Sequence, residues 1–226
     1  MTELYLICPA AFTFDLNSIA TNKPEGRVLL DPPLSEEGKI QAVRLKERLL
    51  NSREVEPELL VSSPLLRARQ SAEILNQAFQ LTINYLDEFE DWRCVDGLEI
   101  TGEIFLKQIL ALPPERRPFY SAAPGFESWV DFTRRIGTAL DRLVGENEGK
   151  KIVLISHGHV LEATFLYCFG LNPFAPYPVM MNLDPAPTAI THWRKMSLPT
   201  FKAWRLLSYN DHFHLRPEFG LKAKGS

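Results

Sequence analysis

The sequence predicts an α/β fold in three layers, a mainly parallel sheet with helices on both faces. Three observations carry that expectation. Short apolar runs at Leu4 to Ile7, Glu58 to Val61 and Lys151 to Ile155 have the length of buried strands, and helical-period stretches separate them. No segment repeats. The 226 residues, 45% hydrophobic and 23% charged, suffice to bury one sizeable core, so 1–226 is expected to form one domain.

The elements follow in order. Leu4 to Ile7 is the first strand and runs into Cys8-Pro9-Ala10-Ala11. From Phe12 to Pro33 there is no helical period, and Asn17, Asn22, Pro24, Gly26, Pro32 and Pro33 mark a long excursion. Ser35 then offers a helix N-cap with Glu36 and Glu37 in the first turn, and Ile40, Val43, Leu45 and Leu49 continue the stripe for about four turns. After the strand at Val61, Pro64 opens a helix from about Leu65 to Phe79 that faces the core through Ala68, Ala72, Leu75 and Phe79. Leu81 to Leu86 returns as a strand.

Glu103 to Leu112 reads as a weaker helix stopped by Pro113-Pro114. The strongest helical pattern is Trp129, Phe132, Ile136, Leu140 and Leu143, ended by Gly145 to Gly149 before the strand Lys151 to Ile155. Val160 to Phe169 is a further helix, Asn172 to Pro187 a proline-rich loop, and Ala189 to Trp193 with Phe201 to Leu207 closing strands. A disordered tract is expected only at Lys222 to Ser226.

Composition narrows the partners. A formal net charge of -3 gives no global reason to expect nucleic acid or an anionic membrane. No apolar stretch reaches membrane length, so no membrane span is expected. Three widely spaced cysteines, Cys8, Cys94 and Cys168, argue against a disulfide framework and fit a reducing cytoplasm.

In open α/β sheets ligands sit outside the carboxyl ends of the strands, so the three strand ends expected to face a site are those after Ile7, Val61 and Ile155. Two of them suit an anion. At Ser62-Ser63-Pro64-Leu65-Leu66-Arg67 a bidentate guanidinium lies in a first helical turn beside free N–H groups. An Arg there opposes the helix dipole, so it needs either an anionic ligand or an ion pair with a carboxylate such as Glu37 or Glu88. At Ile155-Ser156-His157-Gly158 an imidazole sits at a strand-to-helix corner, and Gly158 lets backbone N–H groups come close to an anion. The first strand, ending in Cys8-Pro9-Ala10, offers no base, no strong nucleophile and no cation.

Five segments in register resemble the histidine phosphatase superfamily, the phosphoglycerate mutase-like proteins. They are Leu34-Ser35-Glu36-Glu37-Gly38-Lys39-Ile40-Gln41-Ala42; Ser62 through Ala72; Glu127-Ser128 with Asp131 and Arg135; Ile155-Ser156-His157-Gly158; and Trp204-Arg205-Leu206-Leu207 with Asn210-Asp211 before His214. The resemblance implies a phosphoglycerate mutase-like fold. It also implies a chemistry in which the histidine of an Arg-His-Gly run at the end of the first strand is phosphorylated. Two arginines and a second histidine hold the oxygens there, and an acid protonates the leaving group. By position Arg67 matches the second arginine, His157 the second histidine and Glu88 the acid, while Cys8, Pro9 and Ala10 replace the Arg-His-Gly run. Asp15 falls where a phosphate-facing asparagine is expected.

Loss of a covalent nucleophile removes the two-step route, which typically costs many powers of ten in rate. Cys8 is no substitute: a thiolate phosphatase needs an arginine closing the following loop, and Phe14 stands there. The expectation is a pseudo-phosphatase with a binding or regulatory role. Its residual anion pocket would be built from Ser63, Arg67, His157 and Gly158, and its partners would be phosphate or a phosphorylated small molecule and, separately, a protein. The alternative is a phosphoric monoester hydrolase or phosphomutase working through Arg67, His157 and Glu88. The patterns His157-Gly158-His159 and Asp211-His212-Phe213-His214 both contain H-x-H, but the resemblance accounts for His157 and His214 without a metal. No metal and no cofactor is expected. Asp87, Glu88, Glu90 and Asp91 otherwise read as solvated acidic surface, and Phe89, Trp92, Trp129 and Phe174 to Tyr177 as core packing or a pocket floor.

Overall fold

The computed structural model describes residues 1–13, 19–20, 29–93, 102–172, 183–197 and 202–217. Asp15, Cys94, Phe174 to Tyr177 and the tail from Lys222 lie outside the described residues. A six-stranded sheet forms the middle layer. Its strands are β1 (Thr2–Ile7), β4 (Leu59–Ser62), β5 (Ile83–Tyr85), β6 (Lys151–Ile155), β7 (Ile190–Ser197) and β8 (Lys202–Asp211), in the spatial order β5-β4-β6-β1-β7-β8. The pairs β5/β4, β4/β6 and β6/β1 are parallel, while β7 and β8 add antiparallel at the far edge. The excursion after β1 contains a two-stranded ribbon, β2 (Ile19–Ala20) against β3 (Leu29–Leu30).

Alternation along the central strands sorts their side chains between two layers, as period-2 geometry requires. Leu4, Leu6, Ile152 and Leu154 pack with α4 (Trp129–Glu146) and α5 (Gly158–Phe169). Tyr5, Ile7, Val153 and Ile155 pack instead with α1 (Glu36–Ser52) and α2 (Leu66–Phe79). A shorter helix, α3 (Gly102–Leu110), precedes a 3-10 segment at Pro114–Phe119.

Ser35 caps α1 as expected, its Oγ accepting from the Gly38 N–H at 3.0 Å. The buried stripe of that helix differs from the one anticipated: Gly38, Ala42, Leu45 and Leu49 face inward, and Ile40 is 57% exposed. Small residues lead the stripe because this helix lies directly on the chain leaving β1. A Cβ on Gly38 would stand 1.9 Å from the Ala11 carbonyl oxygen. The closing strands also run longer than expected, because a hairpin ladder extends pairing through polar residues such as Lys195 and Arg205 that carry no apolar signal.

Candidate anion site at the strand ends

The register of the parallel strands builds the crevice. Ile155 on β6 is level with Ile7 on β1 and with Ser62 on β4. The Ser156 N–H donates to the Ile7 carbonyl at 3.0 Å and the Ser63 N–H to the Ile155 carbonyl at 2.9 Å, so pairing continues one step past the strands. Cys8, Ser63 and Ser156 therefore form one row, and His157 follows as the N-cap of α5 with extended backbone. The three strand ends that the sequence places at one crevice do converge.

Within this row Ser63 and His157 make contact. Ser63 Oγ lies 2.8 Å from His157 Nε2 and accepts from the Leu65 N–H at 3.3 Å. The anionic Asp91 carboxylate on the Nδ1 side favours a proton on that nitrogen, with the Ser63 hydroxyl then donating to Nε2. Nδ1 has no hydrogen-bond partner among the described residues and faces Asp91 Oδ2 at 3.8 Å. Burial, reinforced by the nearby Arg67 charge, pushes the His157 imidazole down to about 3, so the ring is neutral at physiological pH.

Arg67 does have a carboxylate partner, and it is neither Glu37 nor Glu88. Buried in the first turn of α2, its Nη2 donates to Asp91 Oδ2 at 2.9 Å, and its guanidinium lies 5.2 Å over the Phe12 ring. Asp91 Oδ1 accepts from the Trp92 N–H at 3.0 Å and lies 3.0 Å from His159 Nδ1. Burial opposes the Asp91 charge, yet the surrounding His157, His159 and Arg67 outweigh it and hold the carboxyl well below the usual range. The first N–H of α2 is engaged as well: the Leu66 N–H donates to Asp31 Oδ1 at 2.5 Å.

Glu88 stands elsewhere. A 3-10 turn at Asp87–Phe89 buries Phe89 completely and turns Glu88 outward, where Arg142 Nη2 donates to its Oε1 at 2.6 Å. That hydrogen bond lowers its carboxyl, and the side chain lines a separate cavity of about 540 Å³ with Glu127, Asp131, Arg134 and Arg135. The structure thus does not bring Glu88 to Arg67 and His157. Nor is the acidic run all solvated surface, since Glu90 is 3% exposed and pairs with Arg93.

Arg135 fixes the segment that delivers Asp91. It donates to the carbonyls of Glu88, Glu90 and Asp91 at 2.6, 3.1 and 3.1 Å and grips both Glu127 carboxylate oxygens at 2.6 and 2.7 Å. The Trp92 indole N–H donates to the Glu127 carbonyl at 3.1 Å.

The remaining wall is Cys8-Pro9-Ala10. Burial, with the Asp91 charge adding to it, pushes the buried Cys8 thiol up to about 12. The Pro9 carbonyl accepts from the Thr188 N–H at 3.3 Å, the Ala10 N–H donates to Ser71 Oγ at 3.0 Å, and the Ala11 N–H to Gln41 Oε1 at 3.0 Å. Ser71 in turn donates to the Arg67 carbonyl at 2.8 Å, tying this segment to the helix that carries Arg67. Gly158 opens α5, where an added Cβ would meet only the Pro185 ring at 3.6 Å. His214 is fully buried, its Nε2 2.7 Å from Thr188 Oγ1.

Residues 21–209 match the sequence model of the histidine phosphatase superfamily (branch 1). The chain belongs to that superfamily. The matched span begins downstream of β1, so Cys8-Pro9-Ala10 falls outside it. Among curated members, the chain is similar to an uncharacterized phosphatase, PhoE, of Bacillus subtilis (strain 168), 24% identical over 189 residues, 82% of this chain and 85% of that one. It is also similar to the probable phosphoglycerate mutase GpmB of Salmonella paratyphi C, 28% identical over 152 residues, 64% of this chain and 67% of that one. In fold it is similar to YhfR of Bacillus stearothermophilus, with a TM-score of 0.71, 19% identity and coverage of 96% of this chain and 100% of that one. A histidine-to-alanine mutant of a phosphoserine phosphatase from Entamoeba histolytica, in complex with phosphoserine, gives a TM-score of 0.69 at 21% identity, with the same coverage. Phosphoglycerate mutase-like relatives and a phosphatase fold thus agree with the resemblance read from the motifs.

Sequence reasoning missed Asp91, His159, Asp31 and Ser71 at the site. Only the misfit of an arginine in a first helical turn pointed toward Asp91.

Proposed function

We propose that this superfamily member carries out no phosphohistidine chemistry and instead serves a binding or regulatory role. Its ligand would be phosphate or a phosphorylated small molecule, held by Ser63, Arg67, His157 and Gly158. The observation that carries the reading is the wall beside His157: the strand end where the resemblance expects Arg-His-Gly is Cys8-Pro9-Ala10. Proline offers no nucleophilic atom, and the thiol beside it, at about 12, holds almost no thiolate at neutral pH.

The carboxylates support the same reading. A general acid must hold a proton, and Glu88 and Asp91 both have lowered carboxyls, so neither is suited to protonate a leaving group. The ligand class is supported by structures of like fold whose complexes contain phosphoserine and 3-phosphoglyceric acid. A single domain over 1–226, a cytoplasmic location and a protein partner are further parts of this proposal. None of the helices among the described residues is long and apolar enough to cross a membrane.

The test is a panel of phosphomonoesters that includes phosphoserine and 3-phosphoglycerate, run beside a His157→Ala control. No turnover above the control is expected. Turnover lost in His157→Ala overturns the proposal in favour of a hydrolase. Inorganic phosphate is expected to raise the melting temperature of the protein but not of Arg67→Ala, since a ligand that binds only the folded state must stabilise it.

A further inference from the structure

The anion-binding groups at the strand ends are already engaged by carboxylates of the same chain. Arg67, His159 and the Trp92 N–H converge on the Asp91 carboxylate at 2.9, 3.0 and 3.0 Å, and the buried Nδ1 of His157, otherwise unpartnered among the described residues, faces it at 3.8 Å. The exposed N–H of Leu66 at the start of α2 is taken by Asp31. A guanidinium, two imidazoles and a main-chain N–H around one anionic group form the donor set that a phosphoryl group would use.

We propose that Asp91 is an internal ligand of this site and its specificity-determining residue: a phosphate binds between Arg67 and His157 only by displacing the Asp91 carboxylate. The inference rests on the phosphate-binding reading above and adds a threshold to it. Two carboxylate oxygens cannot share Arg67 with a dianion, because like charges at that distance repel and each would leave the other without its donor. The displacement is confined to the side chain. Arg135 holds the carbonyls of Glu88, Glu90 and Asp91, so the main chain stays while the carboxylate rotates away from Arg67.

The experiment is calorimetric titration of the full chain with inorganic phosphate, comparing the unmodified protein with Asp91→Asn and Asp91→Ala. Both variants are expected to bind phosphate at least tenfold more tightly. Equal or weaker binding by variants with a cooperative unfolding transition overturns the inference. If the unmodified protein binds phosphate through Arg67 and the Asp91 variants bind no better, only this inference fails. If neither the protein nor a folded Asp91→Ala binds phosphate, the phosphate-site reading fails with it. Should the variants not fold, a crystal of the unmodified protein soaked in phosphate decides. The Asp91 carboxylate turned off Arg67 with phosphate in its place is the expected result, and phosphate bound with the 2.9 Å contact intact overturns it.

Discussion

Ser63 Oγ and His157 Nε2 meet at 2.8 Å although 94 residues separate them, joining the exits of β4 and β6 by one buried hydrogen bond. The bond holds the neutral imidazole with Nδ1 facing Asp91. Ser63→Ala removes it and leaves a buried ring nitrogen unsatisfied, at an expected cost of about 1–3 kcal/mol. Urea unfolding measures the cost, and a nitrogen-15 spectrum of His157 should show a changed Nε2 signal where the Ser63 contact is lost.

Removing Arg67 takes from the Asp91 carboxylate its one guanidinium partner among the described residues and leaves it to His159, His157 and the Trp92 N–H. Breaking a buried ion pair from one side costs about 3–5 kcal/mol, and because Asp91 keeps some contact with water, Arg67→Met is expected to lose about 2–3 kcal/mol. The double variant Arg67→Met with Asp91→Asn should recover part of that loss. A double-mutant cycle with no coupling would contradict the pairing.

Stability should fall on the acid side. His157 and His214, pushed down by burial to about 3 and about 4, titrate near 6.5 when unfolded. The unfolded chain therefore takes up protons first, so their contribution is complete above roughly pH 6.5 and is lost as pH falls toward the folded values. The Asp91 contribution, from a lowered carboxyl, is present above about pH 4 and lost below it. His159, raised by Asp91 against its burial, acts in the opposite sense and loses its contribution as pH rises through its folded value. The melting temperature is expected to decline from pH 7 to pH 4, with a shallower slope in His157→Asn.

Restoring the first strand alone should not restore chemistry. Cys8→Arg, Pro9→His and Ala10→Gly together supply a cation, a nucleophile and a small residue, but Asp91 still holds Arg67 and would also draw the new arginine. No phosphomonoester hydrolysis is expected from the triple variant. Measurable hydrolysis is expected when Asp91→Asn is added.

A side chain at position 38 has nowhere to go. Gly38→Ala would drive its Cβ into the Ala11 carbonyl, which already accepts from the Ser35 N–H at 3.0 Å. Such overpacking against backbone costs about 1–3 kcal/mol, and thermal unfolding should show it, with Cys8 becoming easier to alkylate as the strand exit loosens.

Most of the fold was legible because its helices and central strands bury apolar residues at fixed periods. Trp129, Phe132, Ile136, Leu140 and Leu143 all face the core as their spacing predicts. Arg67, Ser63 and His157 were legible because strand ends converge in this architecture. The Asp87 to Asp91 run was not, because a 3-10 turn that ends after one rotation gives no period from which to read direction. Phe89 goes into the core, Glu88 outward to Arg142, and Asp91 inward to Arg67, while Arg135, from an element far along the chain, holds the carbonyls of Glu88, Glu90 and Asp91. Ile40 misled for a simpler reason: hydrophobicity is no guarantee of burial where the inner face needs small residues.

The strand order also sets a timetable for synthesis. β1 lies between β6 and β7, so its two partners leave the ribosome only after residues 151–155 and 190–197 are made. At about 5–20 residues per second, the nascent β1 waits roughly 7–30 seconds with both edges bare, and roughly 10–40 seconds before its second edge can be paired. Ribosome-bound chains stalled before β6 should therefore bind chaperones through Leu4 to Ile7, and release of that strand should coincide with the emergence of β7.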